Sequence, residues 1–142
     1  MRKASLAAAF ALLAMLFAAP SHAATVVAKV DVSQQRMNVY VGGQLRHSWA
    51  VSTGRGRYAT PGGTFRPYRM HAMWHSRKYN MAPMPHSVFY RGGYAVHGTV
   101  EVNRLGRPAS RGCVRLHPTN ARTFYNLVRQ AGMKNTRIEI RR

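Results

Sequence analysis

The chain has 142 residues, of which 22 are Lys or Arg and only three are Asp or Glu, giving a formal net charge of +19 and a pI near 11.7. One cysteine, Cys113, excludes a fold stapled by internal disulfides. The basic residues are scattered as singletons (Arg36, Arg46, Arg66, Arg91 and others) rather than gathered into a run, so nucleic acid is not an expected partner and the charge describes a basic surface that steers polyanions.

Arg2 and Lys3, the uncharged apolar stretch Leu6 to Ala19 and the small-residue ending Pro20-Ser21-His22-Ala23 read as a secretory signal peptide over residues 1–23. That stretch is shorter than the roughly 20 apolar residues a spanning helix needs. Residues 24–142 are then expected as a single domain working outside the cytoplasm, secreted, periplasmic or associated with the cell wall. Taking Arg2 and Lys3 from the basic side leaves 20 basic against three acidic residues, so the mature charge is still strongly positive.

Val26 to Val32, Met37 to Val41 and Leu45 to Ser52 read as strands, the last two joined through Gly42-Gly43 as a hairpin. Ser52-Thr53-Gly54 and Thr60-Pro61-Gly62-Gly63 are loops, with a short strand entering at Phe65. Met70 to His86 has four methionines, two prolines and no period; it reads as an irregular connection over the core or a flap facing a substrate. Val88 to Tyr90 and Tyr94 to His97 are further strands. Ala121, Phe124, Tyr125, Val128 and Ala131 fall at helical spacing, with Thr119-Asn120 as capping candidates and Gly132 as the stop. Thr136 to Ile140 alternates as a terminal strand, so the fold class is mainly β with one principal helix.

The chemistry centres on Cys113. A thiol attacks a carbonyl only as thiolate, which calls for a neighbouring base or positive charge. His97, ending a strand-like run, is the candidate base. Gly112 permits close backbone approach, and the amides of Gly112 and Cys113 are candidate donors to an oxyanion. Arg115 is a candidate for holding a substrate carboxylate in a bidentate pair. His71 and His75 stand four apart, but with no helix to align them they make no metal-ligand set; no metal and no cofactor are expected.

Six ordered segments carry a family resemblance: Ser33-Gln34-Gln35-Arg36-Met37, Ser52-Thr53-Gly54, Thr60-Pro61-Gly62-Gly63-Thr64-Phe65, Ala82-Pro83-Met84-Pro85, Gly93-Tyr94-Ala95-Val96-His97-Gly98, and Leu105 through Leu116 around Ser110-Arg111-Gly112-Cys113. Together they resemble the YkuD-type L,D-transpeptidase catalytic domain. The resemblance implies a β-sandwich-like fold and a cysteine enzyme of peptidoglycan stem peptides, with Cys113 as nucleophile, His97 as base and acid, and the Gly98 carbonyl orienting His97. Ser110, Arg111 and Arg115 are then expected to contact substrate. The family commonly has His where this chain has Arg111, and Arg cannot act as a base. The expected partners are stem peptides and anionic wall polymers, and the expected state is monomeric. Three other readings stand beside this one: a cationic cell-wall-binding module with a vestigial site, a carboxypeptidase or endopeptidase with water as acceptor, and a structural protein joined through Cys113 as an intermolecular disulfide.

Overall fold

A computed structural model describes residues 25–142, so the signal peptide expected over 1–23 lies outside the described residues. Period-two alternation builds the first sheet. β1 (Val26–Asp31), β2 (Arg36–Val41) and β3 (Gln44–Ala50) form an antiparallel meander in which Val26, Ala28, Val30, Met37 and Val39 are buried. Gly42 and Gly43, at φ +58° and +82°, form the turn between β2 and β3, left-handed at both positions as a tight hairpin requires.

The second sheet is laid down in chain order: β5 (Arg69–Ser76), β6 (Ala82–Arg91), β7 (Tyr94–Gly98) and β8 (Val114–Leu116). The last two pair in parallel, so the connection between them must return along the sheet. β4 (Gly63–Phe65) and the C-terminal β9 (Thr136–Arg141) complete the first sheet in the order β3-β2-β1-β9-β4. Val88, Tyr90, Val96, Val114 and Leu116 of the second sheet meet the β1, β2 and β9 side chains in one core. Helix α1 (Pro118–Ala131) adds Ala121, Phe124 and Val128 to it. The fold of the described residues is thus mainly β, two sheets and one α-helix, as expected.

Two expectations are corrected. Met70 to His86 is no irregular connection but the greater part of the long β5–β6 hairpin, with a tip at Arg77–Met81. The N-cap lies two residues before Thr119: it is His117, its Nδ1 accepting from the Thr119 amide at 3.2 Å, and Pro118 fills the first helical position.

Because side chains alternate along a strand, burying Val96 and Val114 in the core turns Ala95, His97 and Arg115 to the opposite face of the second sheet. Cys113, one residue before β8, packs on that face against the small cluster of Met84, Phe89 and Ala95.

Candidate active site

A short loop presents the thiol, and it is braced from within. The buried Ser110 hydroxyl donates to the Cys113 carbonyl at 2.6 Å and accepts from the Gly112 amide at 3.0 Å. Gly112 sits at φ +126°, and a Cβ there would lie 2.6 Å from Cε1 of Tyr94, so only glycine fits this turn. Thr60 Oγ1 donates to the Gly112 carbonyl at 2.8 Å and accepts from the Gly54 amide at 2.9 Å. The Ser52–Arg55 stretch is laced to the same loop: Thr53 O accepts from the Ala109 and Ser110 amides, and the Arg55 amide donates to Ser110 O, each at 3.0 Å. Gln35 clamps that stretch in turn, through Thr53 N at 2.9 Å and Thr53 Oγ1 at 2.7 Å.

His97 is 5% exposed, and its Nδ1 lies 2.7 Å from the carbonyl oxygen of Gly98. A carbonyl can only accept, so Nδ1 carries the proton and Nε2 is left with its lone pair. Burial lowers the imidazole pKa to about 4; the Gly98 hydrogen bond opposes that and the positive charge of Arg115 adds to it. Burial also pushes the Cys113 thiol above its usual range, against a backbone hydrogen bond from Ala95 and the attraction of Arg115. Both groups are therefore neutral at rest near pH 7. Glu101, the acid nearest His97 in sequence, is engaged elsewhere, with Arg115 at 3.2 Å and Arg104 at 3.8 Å.

His97 and Cys113 open into one cavity of about 530 Å³, walled by the β5–β6 hairpin tip (Ser76, Tyr79, Asn80), by Arg111 and Arg115, and by the 99–104 turn. Arg111 is exposed and stacks on Tyr79, its Cζ 4.8 Å from the ring centroid. Ser110 and Gly112 are placed otherwise than expected. Ser110 borders the cavity, but its hydroxyl is buried and engaged within the loop, with Cys113 O and Gly112 N. The Gly112 amide, one of the two candidate oxyanion donors, is bonded to Ser110 Oγ at 3.0 Å. Arg55, Lys78 and Tyr79 were not named as site residues from the sequence, and Thr60 entered only as part of a resemblance segment. Thr60 stands in a turn-rich segment whose composition announced a loop but not its second partner fifty-two residues away. Among the described residues no group of three or more His, Cys, Asp or Glu is arranged to hold a metal ion.

The model of the YkuD L,D-transpeptidase catalytic domain matches residues 25–140. The chain belongs to the YkuD L,D-transpeptidase family. Solved L,D-transpeptidase structures share the fold: one from Mycobacterium smegmatis superposes with a TM-score of 0.74 at 25% identity, covering 84% of this chain and 59% of that one. One from Xylanimonas cellulosilytica gives 0.72 at 26% identity, covering 86% and 63%. L,D-transpeptidase 3 from Mycobacterium tuberculosis, solved with a faropenem-derived adduct, gives 0.71 at 20% identity, covering 84% and 61%. This YkuD chain thus spans about 59–63% of the length of those L,D-transpeptidases. No curated protein matches the sequence.

Proposed function

We propose that this domain is a cysteine L,D-transpeptidase of peptidoglycan stem peptides, working outside the cytoplasm. The observation that carries the proposal is the shared cavity of Cys113 and a buried, Nδ1-protonated His97. In the acylation step His97 Nε2 takes the thiol proton as Sγ bonds to the donor carbonyl, and the carbonyl electron pair moves to oxygen. The Cys113 amide is the donor assigned to that oxyanion in this reading, since the Gly112 amide is bonded to Ser110. The resting imidazolium is disfavoured by burial, so proton transfer accompanies S–C bond formation, when the growing oxyanion repays the cost of the charge. The tetrahedral centre then collapses to a thioester, and Nε2–H protonates the departing amine. An acceptor amine attacks the thioester, loses its proton to Nε2 and restores the thiol, leaving a new amide bond between two stems.

Incubating the domain with a carbapenem and with purified disaccharide-tetrapeptide tests the reading by mass spectrometry. The β-lactam adds its mass at Cys113, and the peptide yields a cross-linked dimer with loss of the terminal residue. An absent adduct, or an equal adduct on Cys113→Ala, rules the reading out, whereas a tripeptide without dimer identifies water as the acceptor.

A further inference from the structure

The cavity beside Cys113 holds more positive charge than its own acids balance. Arg55, Lys78, Arg104, Arg111 and Arg115 line it, against the single carboxylate of Glu101. That carboxylate is already shared by Arg115 and Arg104. The chain's other two acids are occupied elsewhere: Asp31 accepts from Ser33 and Gln34, and Glu139 faces Arg137. Arg55, Lys78 and Arg111 therefore reach the cavity from three separate segments with no carboxylate opposite them.

Two of these cations rest on one aromatic ring. The Arg111 guanidinium lies 4.8 Å and the Lys78 ammonium 5.5 Å from the centroid of Tyr79. A ring face is a weaker partner for a guanidinium than a carboxylate met through two parallel hydrogen bonds, so an anionic occupant draws Arg111 off the ring. The Arg55 backbone is tied to the loop that carries Cys113, its amide donating to Ser110 O at 3.0 Å, while its exposed side chain reaches the cavity lining. Like charges gathered round a confined space raise the local concentration of an anionic ligand.

We propose that the cavity selects donor peptides whose acidic groups are free carboxylates rather than amides, with Arg55 and Arg111 the two guanidiniums that read them. The inference rests on the transpeptidase reading and adds to it the charge state of the donor. Arg115 already has a carboxylate partner, its Nη1 lying 3.2 Å from Glu101 Oε2, so the proposal rests on the two arginines that have none.

The test uses two tetrapeptide donors, identical except that the acidic side groups are free acids in one and primary amides in the other; both keep the C-terminal carboxylate. Acylation of Cys113 is followed by intact-protein mass spectrometry. Wild type is expected to favour the free acid in kcat/KM by about tenfold or more. Arg55→Gln and Arg111→Gln each bring the ratio towards one by slowing the free-acid donor alone, and Arg111→Lys restores part of the preference. Arg129→Gln, which removes the same charge from the exposed part of α1, leaves the ratio unchanged. Equal acylation of both donors by wild type overturns the inference while the transpeptidase reading stands. Equal slowing of both donors in the two glutamine variants assigns these arginines to holding the loop and overturns it as well. Acylation by neither donor, together with no β-lactam adduct, overturns both readings.

Discussion

His97 shows how one side chain's surroundings decide its chemistry. With the imidazole buried and its Nδ1 proton held on Gly98, the neutral base is the resting form, and its pKa of about 4 moves the acid limit of activity well below that of an ordinary histidine. The raised thiol pKa moves the alkaline limit upward. The rate of Cys113 acylation, measured as kcat/KM from pH 3.5 to 9.5, should therefore run flat through the range where a free imidazole titrates and fall only towards pH 4. An acid limb centred between 6 and 7 would show instead that His97 titrates as if solvated. A second residue-scale consequence falls on Gly112. An alanine there must adopt a φ near +126° and drive its Cβ into Tyr94, so the loop shifts. Gly112→Ala should cost about 1–3 kcal/mol of stability and, because a displacement of about 1 Å at a reacting atom can cost ~100-fold, slow acylation by about that factor. Thermal melts and single-turnover acylation of the same sample check both.

The β5–β6 hairpin was the element least legible in the sequence, and its geometry explains why. Pro83 and Pro85 would ordinarily demote a run to an edge or a loop. They stand two residues apart, opposite His75 and Met73 of β5, in the part of β6 that β7 does not pair, so β6 is an edge strand over that stretch. A left-handed His86, at φ +51°, also shifts the alternation midway along β6. By contrast β2 and β9 were legible because their buried positions alternate, and β1 because it is a run rich in β-branched residues, although Val26, Val27 and Ala28 are buried in succession. The site was legible in part: Cys113, His97 and Gly98 stand in local patterns, whereas Thr60, Arg55 and Tyr79 join it only through pairing between distant segments. The tip at residues 77–81 packs its Tyr79 over the cavity but adds no residue to the main core. Replacing it by Asn-Gly between the paired Ser76 and Ala82 should leave the melting temperature within a few degrees, since a two-residue turn closes such a hairpin. Peptide-donor acylation should fall about tenfold or more through the loss of Tyr79 and Lys78, about the worth of one charge-assisted contact. Carbapenem acylation, by a smaller ligand with less surface to lay against the tip, should change less; an equal loss for both substrates would reduce the tip to a structural role.

At the scale of the whole molecule, the parallel pairing of β1 with β9 ties strands distant in sequence into one sheet, and a single domain of this size is expected to unfold as one unit. Stability of that unit should carry the signature of its buried histidine. Unfolded, His97 titrates near its ordinary value of 6.5; folded, its pKa is about 4. Between these values the unfolded chain binds more protons, so stability is full above pH 6.5 and is lost as pH falls towards 4, by on the order of 3 kcal/mol from this group. His86, also lowered by burial and by Arg122, acts in the same direction. Asp31, lowered by its hydrogen bond from Ser33, holds its contribution until the pH falls below the ordinary carboxylate range. A competing cause of acid lability is self-repulsion, because protonating histidines adds charge to a chain already at +19. Salt separates the two: it screens repulsion between surface charges but leaves the cost of burying an imidazolium. Denaturant unfolding at pH 7 and pH 4.5, each at low and high salt, should therefore keep most of its pH dependence at high salt in wild type and lose much of it in His97→Asn. A pH dependence abolished by salt alone would place the lability on the basic surface, not on His97.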